Sequence, residues 1–272
     1  MLLVAIPLCC PSRAQNPNSP ANELVRDVIA NELKLEKADH SHWMLRLDTK
    51  KPNAAEEVDE VVETRDGELH RPILINGHKL SEEQQRKAGG HIQYLAKHPD
   101  ALRKSQHDKN EDENRSQQML KLLPQAFLFQ YGERRGDVVE LKFKPNPKFR
   151  PPNHEAKVFH AMEGSIWVDA KQKRLVGMSG RLTHEVKFGG GLLGHLNPGG
   201  RFEVAQQEVA PGYWELTALN VQMKGKALFF KTISVQQKYT RSEFRRVPDT
   251  LTVAQAADML QKQIASQEAR LR

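Results

Sequence analysis

Two periods of apolar residues run along this chain, one of three to four positions near each end and one of two positions through most of the second half. Together they predict helices flanking a sheet. Ser19 is placed as an N-cap with Pro20 at the first helical position, and Leu24, Val25, Val28, Ile29 and Leu33 trace one helical face. Trp43, Leu45 and Leu47 alternate as in a half-buried strand. Val58, Val61 and Val62 are followed by the Asp66-Gly67 turn pair and then by Ile73-Leu74-Ile75, which predicts a hairpin. Ser81 and Gln84 have the spacing of a capping box, opening a helix that runs to Leu95 and is interrupted by Pro99. Residues 104–118 carry no apolar side chain, so they are expected to be a solvated helix face or a mobile loop.

Beyond Pro124 the period of two takes over. Phe127, Phe129 and Tyr131 form one alternating set and Val139, Leu141 and Phe143 another, and a Pro-rich extended connection follows over Lys144–Pro152. Strands are then predicted at Val158–Asp169, Leu175–Glu185, Arg201–Val209, Tyr213–Met223 and Ala227–Tyr239. The turns between most of these runs are short, and a parallel crossover needs about a dozen extra residues, so the strands pair antiparallel. A last helix follows Pro248, with Thr252 and Gln255 as its capping box and Val253, Ala257, Leu260 and Ile264 on one face. The fold class is therefore α+β: a large curved antiparallel sheet, an incomplete barrel, with N-terminal and C-terminal helices and a charged helical insertion at 81–123.

Leu2 to Cys10 is an apolar run too short to span a bilayer, and the small residues Ser12 and Ala14 follow it, so residues 1–14 are expected to be a secretory leader. Residues 15–20 read as a polar linker and 21–272 as a single domain in the periplasm or cell envelope. If cleavage follows Ala14 it removes Cys9 and Cys10, the only two cysteines, and with them all thiol and disulfide chemistry; the alternative is a lipobox acylated at one of these cysteines, against which Leu8 argues because that site wants a small residue. Cleavage also removes Arg13 from a formal charge of +7, which leaves +6, spread along the chain rather than clustered. That dispersal and the missing recognition motifs argue against nucleic acid as a partner.

Catalytic spacing is not found. The eleven histidines form no His-Glu-x-x-His, there is no Gly-x-Ser-x-Gly elbow, and Ser165 falls in mid-strand. The glycine-rich stretch Phe188–Gly200 lacks the Gly-Lys-Ser/Thr of a phosphate loop and precedes a strand, so a long hairpin loop is expected. Its Leu192, Leu193 and Leu196 are costly to expose at about 25 cal/mol per Å². They are expected either to tuck beneath the sheet or to act as a lid over an apolar space or against a membrane.

The order of helix, hairpin strands, helical insertion and long meander resembles the outer-membrane lipoprotein carrier superfamily of half-barrels. Phe143–Asn153, Met162–Asp169, Phe188–Phe202, Trp214–Thr217 and Gly225–Lys231 are further similar to a group of uncharacterised exported bacterial proteins. The superfamily resemblance implies an apolar concave face covered by helices, which holds acyl chains or lipidated partners. The charged insertion, the Pro-rich connection and the C-terminal helix depart from the carrier pattern. The expectation is a non-enzymatic protein without cofactor or metal, with an apolar or acylated ligand, a membrane surface or a lipoprotein as partner. Alternation nominates Trp167, Val176, Leu182, Trp214, Leu216, Phe229 and Ile233 as ligand walls, with Leu192, Leu193 and Leu196 near the mouth. The alternatives are an envelope protein-binding or stress-sensing module with a filled core and, further off, an envelope hydrolase.

Overall fold

The computed structural model describes residues 19–191, 194–227 and 231–269. The chain runs α1 (Pro20–Ala38), β1 (His42–Lys50), β2 (Glu57–Thr64), β3 (Gly67–Ile75), β4 (His78–Lys79), α2 (Glu82–Lys97), α3 (Pro99–Ala126), β5 (Phe127–Arg135) and β6 (Val138–Pro145). A 3-10 turn at Glu155–Ala161 leads into β7 (Met162–Asp169), β8 (Arg174–Leu182), β9 (Val186–Phe188), β10 (Gly194–Leu196), β11 (Arg201–Ala210), β12 (Tyr213–Ala227), β13 (Lys231–Val247) and α4 (Val253–Ala269). All thirteen strands join one antiparallel sheet in the order β4-β3-β2-β1-β13-β12-β11-β8-β7-β6-β5, with β10 on β12 and β9 on β10. β4 and β5 stay at opposite edges, so the sheet is open.

The sheet curls toward one face. Trp43 of β1 meets Tyr213 of β12 edge-on at 5.7 Å although β13 runs between those strands, and α3 touches both β3 near one edge and β5 at the other. On this inner face, Phe129, Leu141, Phe143, Ile166, Val168, Leu175, Met178 and Leu182 of β5–β8 pack against Val25, Val28 and Ile29 of α1 and Leu123 of α3. The space there is filled by rings: Phe127 lies 4.5 Å from Phe143 and 5.2 Å from Phe159. A second core forms on the outer face of β1–β3, where Met44, Val62 and Leu69 meet Ile92 of α2, Leu102 of α3 and Leu260 of α4. No described helix is long and apolar enough to cross a membrane.

One open alternative is decided and two expectations are corrected. Residues 104–118 lie in the middle of the 28-residue helix α3, so the helix alternative holds and the loop falls. Pro99 opens that helix at a position that needs no N–H, and Pro124 sits in its last turn. The strand expected from Val158 starts only at Met162, because Ala156, Phe159 and Ala161 turn into the core while Asn153 Oδ1 accepts the Ala156 N–H at 2.8 Å. The expected loop at Phe188–Gly200 instead contains β10 and the end of β9.

Asn22 ties α1 to the start of the meander. Fully buried, it donates from Nδ2 to the carbonyls of Pro124 at 3.1 Å and Phe127 at 2.9 Å, and its Oδ1 accepts the Phe129 N–H at 3.0 Å. These partners include groups that the end of α3 leaves without helical bonds. Asn22→Leu should orphan three backbone groups at about 1–3 kcal/mol each. A urea midpoint within error of the parent protein would show that the junction is held by packing alone.

Candidate functional site

Among the described residues, the helices pack on β5–β8 and on β1–β3 and leave the inner face of β11, β12 and the part of β13 beyond β1 without a helix of its own. Met178 of β8 pairs with Val204, Val204 with Leu219, and Leu219 with Tyr239, while the next row joins Gly180, Phe202 and Val221. Met178 belongs to the solid core, so the register carries Phe202, Val204, Leu219 and Val221 onto the same face. These residues are only half-buried, whereas Gln222, Lys224 and Lys226, pointing the other way, are exposed. Phe202 and Met223 lean against the core. A methyl group on Gly180 would stand 2.5 Å from the Phe202 ring, so that glycine lets the ring lie down on the sheet. The result is an apolar strip that continues the core without being covered as the core is.

Across Tyr239 the strip ends in charge. Arg241 of β13 reaches Glu68 of β3 at 3.2 Å and Glu63 of β2 at 3.4 Å. Lys109, descending from the middle of α3, binds Glu68 at 2.6 Å. His70 spans Glu68 at 3.4 Å and Asp59 at 3.2 Å. Glu63 also accepts the Trp43 backbone N–H at 3.0 Å, and Asp59 Oδ1 is buried without a partner among the described residues. The strand period places these groups together: Val61 opposes His70 and Glu63 opposes Glu68, so Asp59, Glu63, Glu68 and His70 share one face of the β2–β3 hairpin.

The environment separates their protonation behaviour. Burial raises Glu63, and its neighbour Glu68 adds to the rise against the pull of Arg241. Burial also opposes ionisation of Glu68, but the hydrogen bond from His70 and the Lys109 charge outweigh it and hold that carboxyl well below its usual range. Burial disfavours charge on His70 as well, yet Asp59 and Glu68 lift it to about 9. Glu215 of β12, desolvated and repelled by Glu63, is raised to about 7. The cluster therefore holds ion pairs and one carboxyl poised to exchange a proton near neutrality. No group of three or more His, Cys, Asp or Glu able to hold a metal occurs among the described residues.

The nominated wall residues separate. Leu182 lies in the solid core and Leu196 packs half-buried on it. Trp167 pairs with Glu140 and Gly177 and faces outward, opposite to its buried neighbours Ile166 and Val168. Val176 falls at the bulge beside it. Trp214 is half-buried with the Arg174 guanidinium 5.2 Å from its ring, and Arg174 is bound to Glu32 of α1 at 2.7 Å. Leu216 precedes a bulge at Thr217 that shifts the register of β12. Ile233 pairs through its backbone with Gly225, and Leu192, Leu193 and Phe229 lie outside the described residues. The strip residues Phe202, Val204, Leu219, Val221 and Met223 lie outside the expected wall set, although they belong to the same period-two runs. Nothing in the sequence joined Lys109 to Glu68 and Arg241.

Stability should fall in two stages as pH rises. Glu215 and His70 both bind protons more tightly in the folded protein than in the unfolded chain, so each favours folding fully below its ordinary value. That contribution is lost as pH climbs from 4.5 through 7 for Glu215 and from 6.5 through 9 for His70. Urea midpoints measured from pH 5 to 9 should decline, with Glu215→Gln flattening the first stage and His70→Asn the second. A midpoint that rises over this range would overturn the assignment.

No protein-family model, curated protein or solved structure matches this chain.

Proposed function

We propose that this is a non-catalytic exported binding protein that holds an acyl chain, or a partner bearing one, on the inner-face strip of Phe202, Val204, Leu219 and Val221, with the polar end of the ligand beside the Arg241–Lys109–Glu68 cluster. The observation that carries this reading is the half-exposure of an apolar row in direct continuity with a solid core. A hydrocarbon laid there gains burial at about 25 cal/mol per Å² and displaces no side chain from its packing. At its far end the strip meets lysine, arginine and histidine donors and carboxylate acceptors, a setting suited to a polar head and unsuited to more hydrocarbon.

Helix α3 belongs to the same mechanism. Its ends are anchored in apolar contacts, by Leu102 in one core and Leu123 in the other, while among its middle residues Lys109 holds the sheet through an ion pair. Exchange of a ligand at the rim then costs polar contacts that water can replace, and the aromatic core stays shut.

The solid packing of Phe127, Phe143 and Phe159 favours a second reading, a protein-binding or sensing module that takes no lipid. Titration with a fluorescent fatty acid, with mass spectrometry of a solvent extract, separates the two. The carrier reading expects saturable binding that Leu219→Glu weakens by about tenfold or more, because a charge is then set against the chain. Trp167→Ala, on the opposite face, should leave it unchanged. No binding and no acyl species in the extract would replace the carrier with the filled-core module.

A further inference from the structure

On the outer face of β5–β8, away from the inner-face strip and independent of it, Trp167 borders an open depression of about 450 Å³ lined by Glu133, Arg135, Val138, Glu140 and Lys142. This volume lies within the range of about 300–1,000 Å³ usual for small-molecule sites. The indole is half-buried. Across the sheet on one side is Gly177, where an added methyl would stand 3.9 Å from Trp167 Cε3, so no side chain rises beside the ring.

On the other side is Glu140, and its carboxylate is held in place. Ser165 Oγ donates to Oε1 at 2.7 Å and the Glu133 backbone N–H to Oε2 at 3.2 Å. Gly132 supplies the notch, since a Cβ there would come within 2.4 Å of Oε2. The Ser165 hydrogen bond keeps Glu140 below the usual carboxylate range, so it remains an acceptor. A positioned, ionised acceptor beside a half-buried indole at the edge of a depression is a built arrangement, and the indole is not part of the core clusters.

The charges choose the class of ligand. An anion would meet Glu133 and Glu140, and a cation stacked on the indole would meet Arg135 and Lys142. A neutral ring with an aliphatic face and hydroxyls around its edge meets neither repulsion: Glu133 and Arg135 pair with each other at 3.0 Å, the face stacks on Trp167, and the hydroxyls donate to Glu140 and accept from Lys142 and the remaining Arg135 N–H groups. We propose that the Trp167 depression is a binding subsite for neutral saccharide.

The test is calorimetric titration of the whole protein with neutral trisaccharides of glucose and of N-acetylglucosamine, with choline and citrate as charged comparisons. Saturable binding of at least one trisaccharide is expected, lost in Trp167→Ala and weakened about tenfold or more in Glu140→Gln. Far-ultraviolet circular dichroism and the urea midpoint check that both variants fold, and Trp167→Phe, which keeps a stacking plane, should retain part of the affinity. Failure of both trisaccharides to bind at about 10 mM would overturn the proposal. So would binding of choline or citrate in their place, or saccharide binding unchanged in Trp167→Ala. Fatty-acid binding is unaffected by any of these outcomes, so the two sites stand or fall separately.

Discussion

An open curved sheet has to be kept from flattening, and here one helix spans it. α3, at 1.5 Å per residue, is about 42 Å long, enough to reach from β3 near one edge to β5 at the other across the inner face. Its first turns rest on the β2–β3 turn, where Gly67 has φ +136° and a side chain would press on Leu102 at 3.2–3.5 Å. Its last turn ends on Asn22 and the aromatic core. Between those anchors the helix has nothing apolar from 104 to 118, and a bare polar span over an apolar sheet would leave its charges poorly solvated. The span is tolerated because the face beneath it is polar too: Lys109 meets Glu68, and Glu68 is shared with His70 and Arg241.

This division of the inner face follows from where the helices lie. Under α1 and the end of α3 the strands β5–β8 carry large apolar residues that pack solid. Under the middle of α3 the β2–β3 hairpin carries charge. Between the two, the row of Phe202, Val204, Leu219 and Val221 on β11 and β12 is covered by neither a described helix nor the charged cluster and remains half-open to water. The surface available to a ligand is thus what remains once the helices have taken their places.

Much of the architecture was legible because it rests on local signals. The Ser19-Pro20 start, the Ser81–Gln84 capping box, the Asp66-Gly67 turn and the period-two runs all appear in the structure, and together they gave the α+β class and the open antiparallel sheet. The site was less legible because alternation defines two faces without ranking them. Trp167 and Ile166 are adjacent apolar residues on one strand, and only the position of α1 and α3 decides that Ile166 is core while Trp167 looks outward. The bulge at Thr217 further breaks the count from Leu216 to Leu219. Lys109 could not be singled out among its charged neighbours, because its partner Glu68 lies 41 residues away and Arg241, which shares that carboxylate, lies further still.

The cluster also explains why its members are charged when apolar residues could have filled the same place. A hydrophobic seam between α3 and the hairpin would join the two cores and seal the inner face along the whole length of the helix. Ion pairs hold by direction and distance, and because His70 and Lys109 are each about 40% exposed, water can replace their bonds as they break. The middle of α3 is therefore fixed in register without being fused to the sheet. The separation of Glu68, held ionised, from Glu215, raised to about 7, adds a dependence on proton activity that an apolar seam would lack. A helix set over an open sheet in this way has its ends held by apolar packing and its middle held by ion pairs.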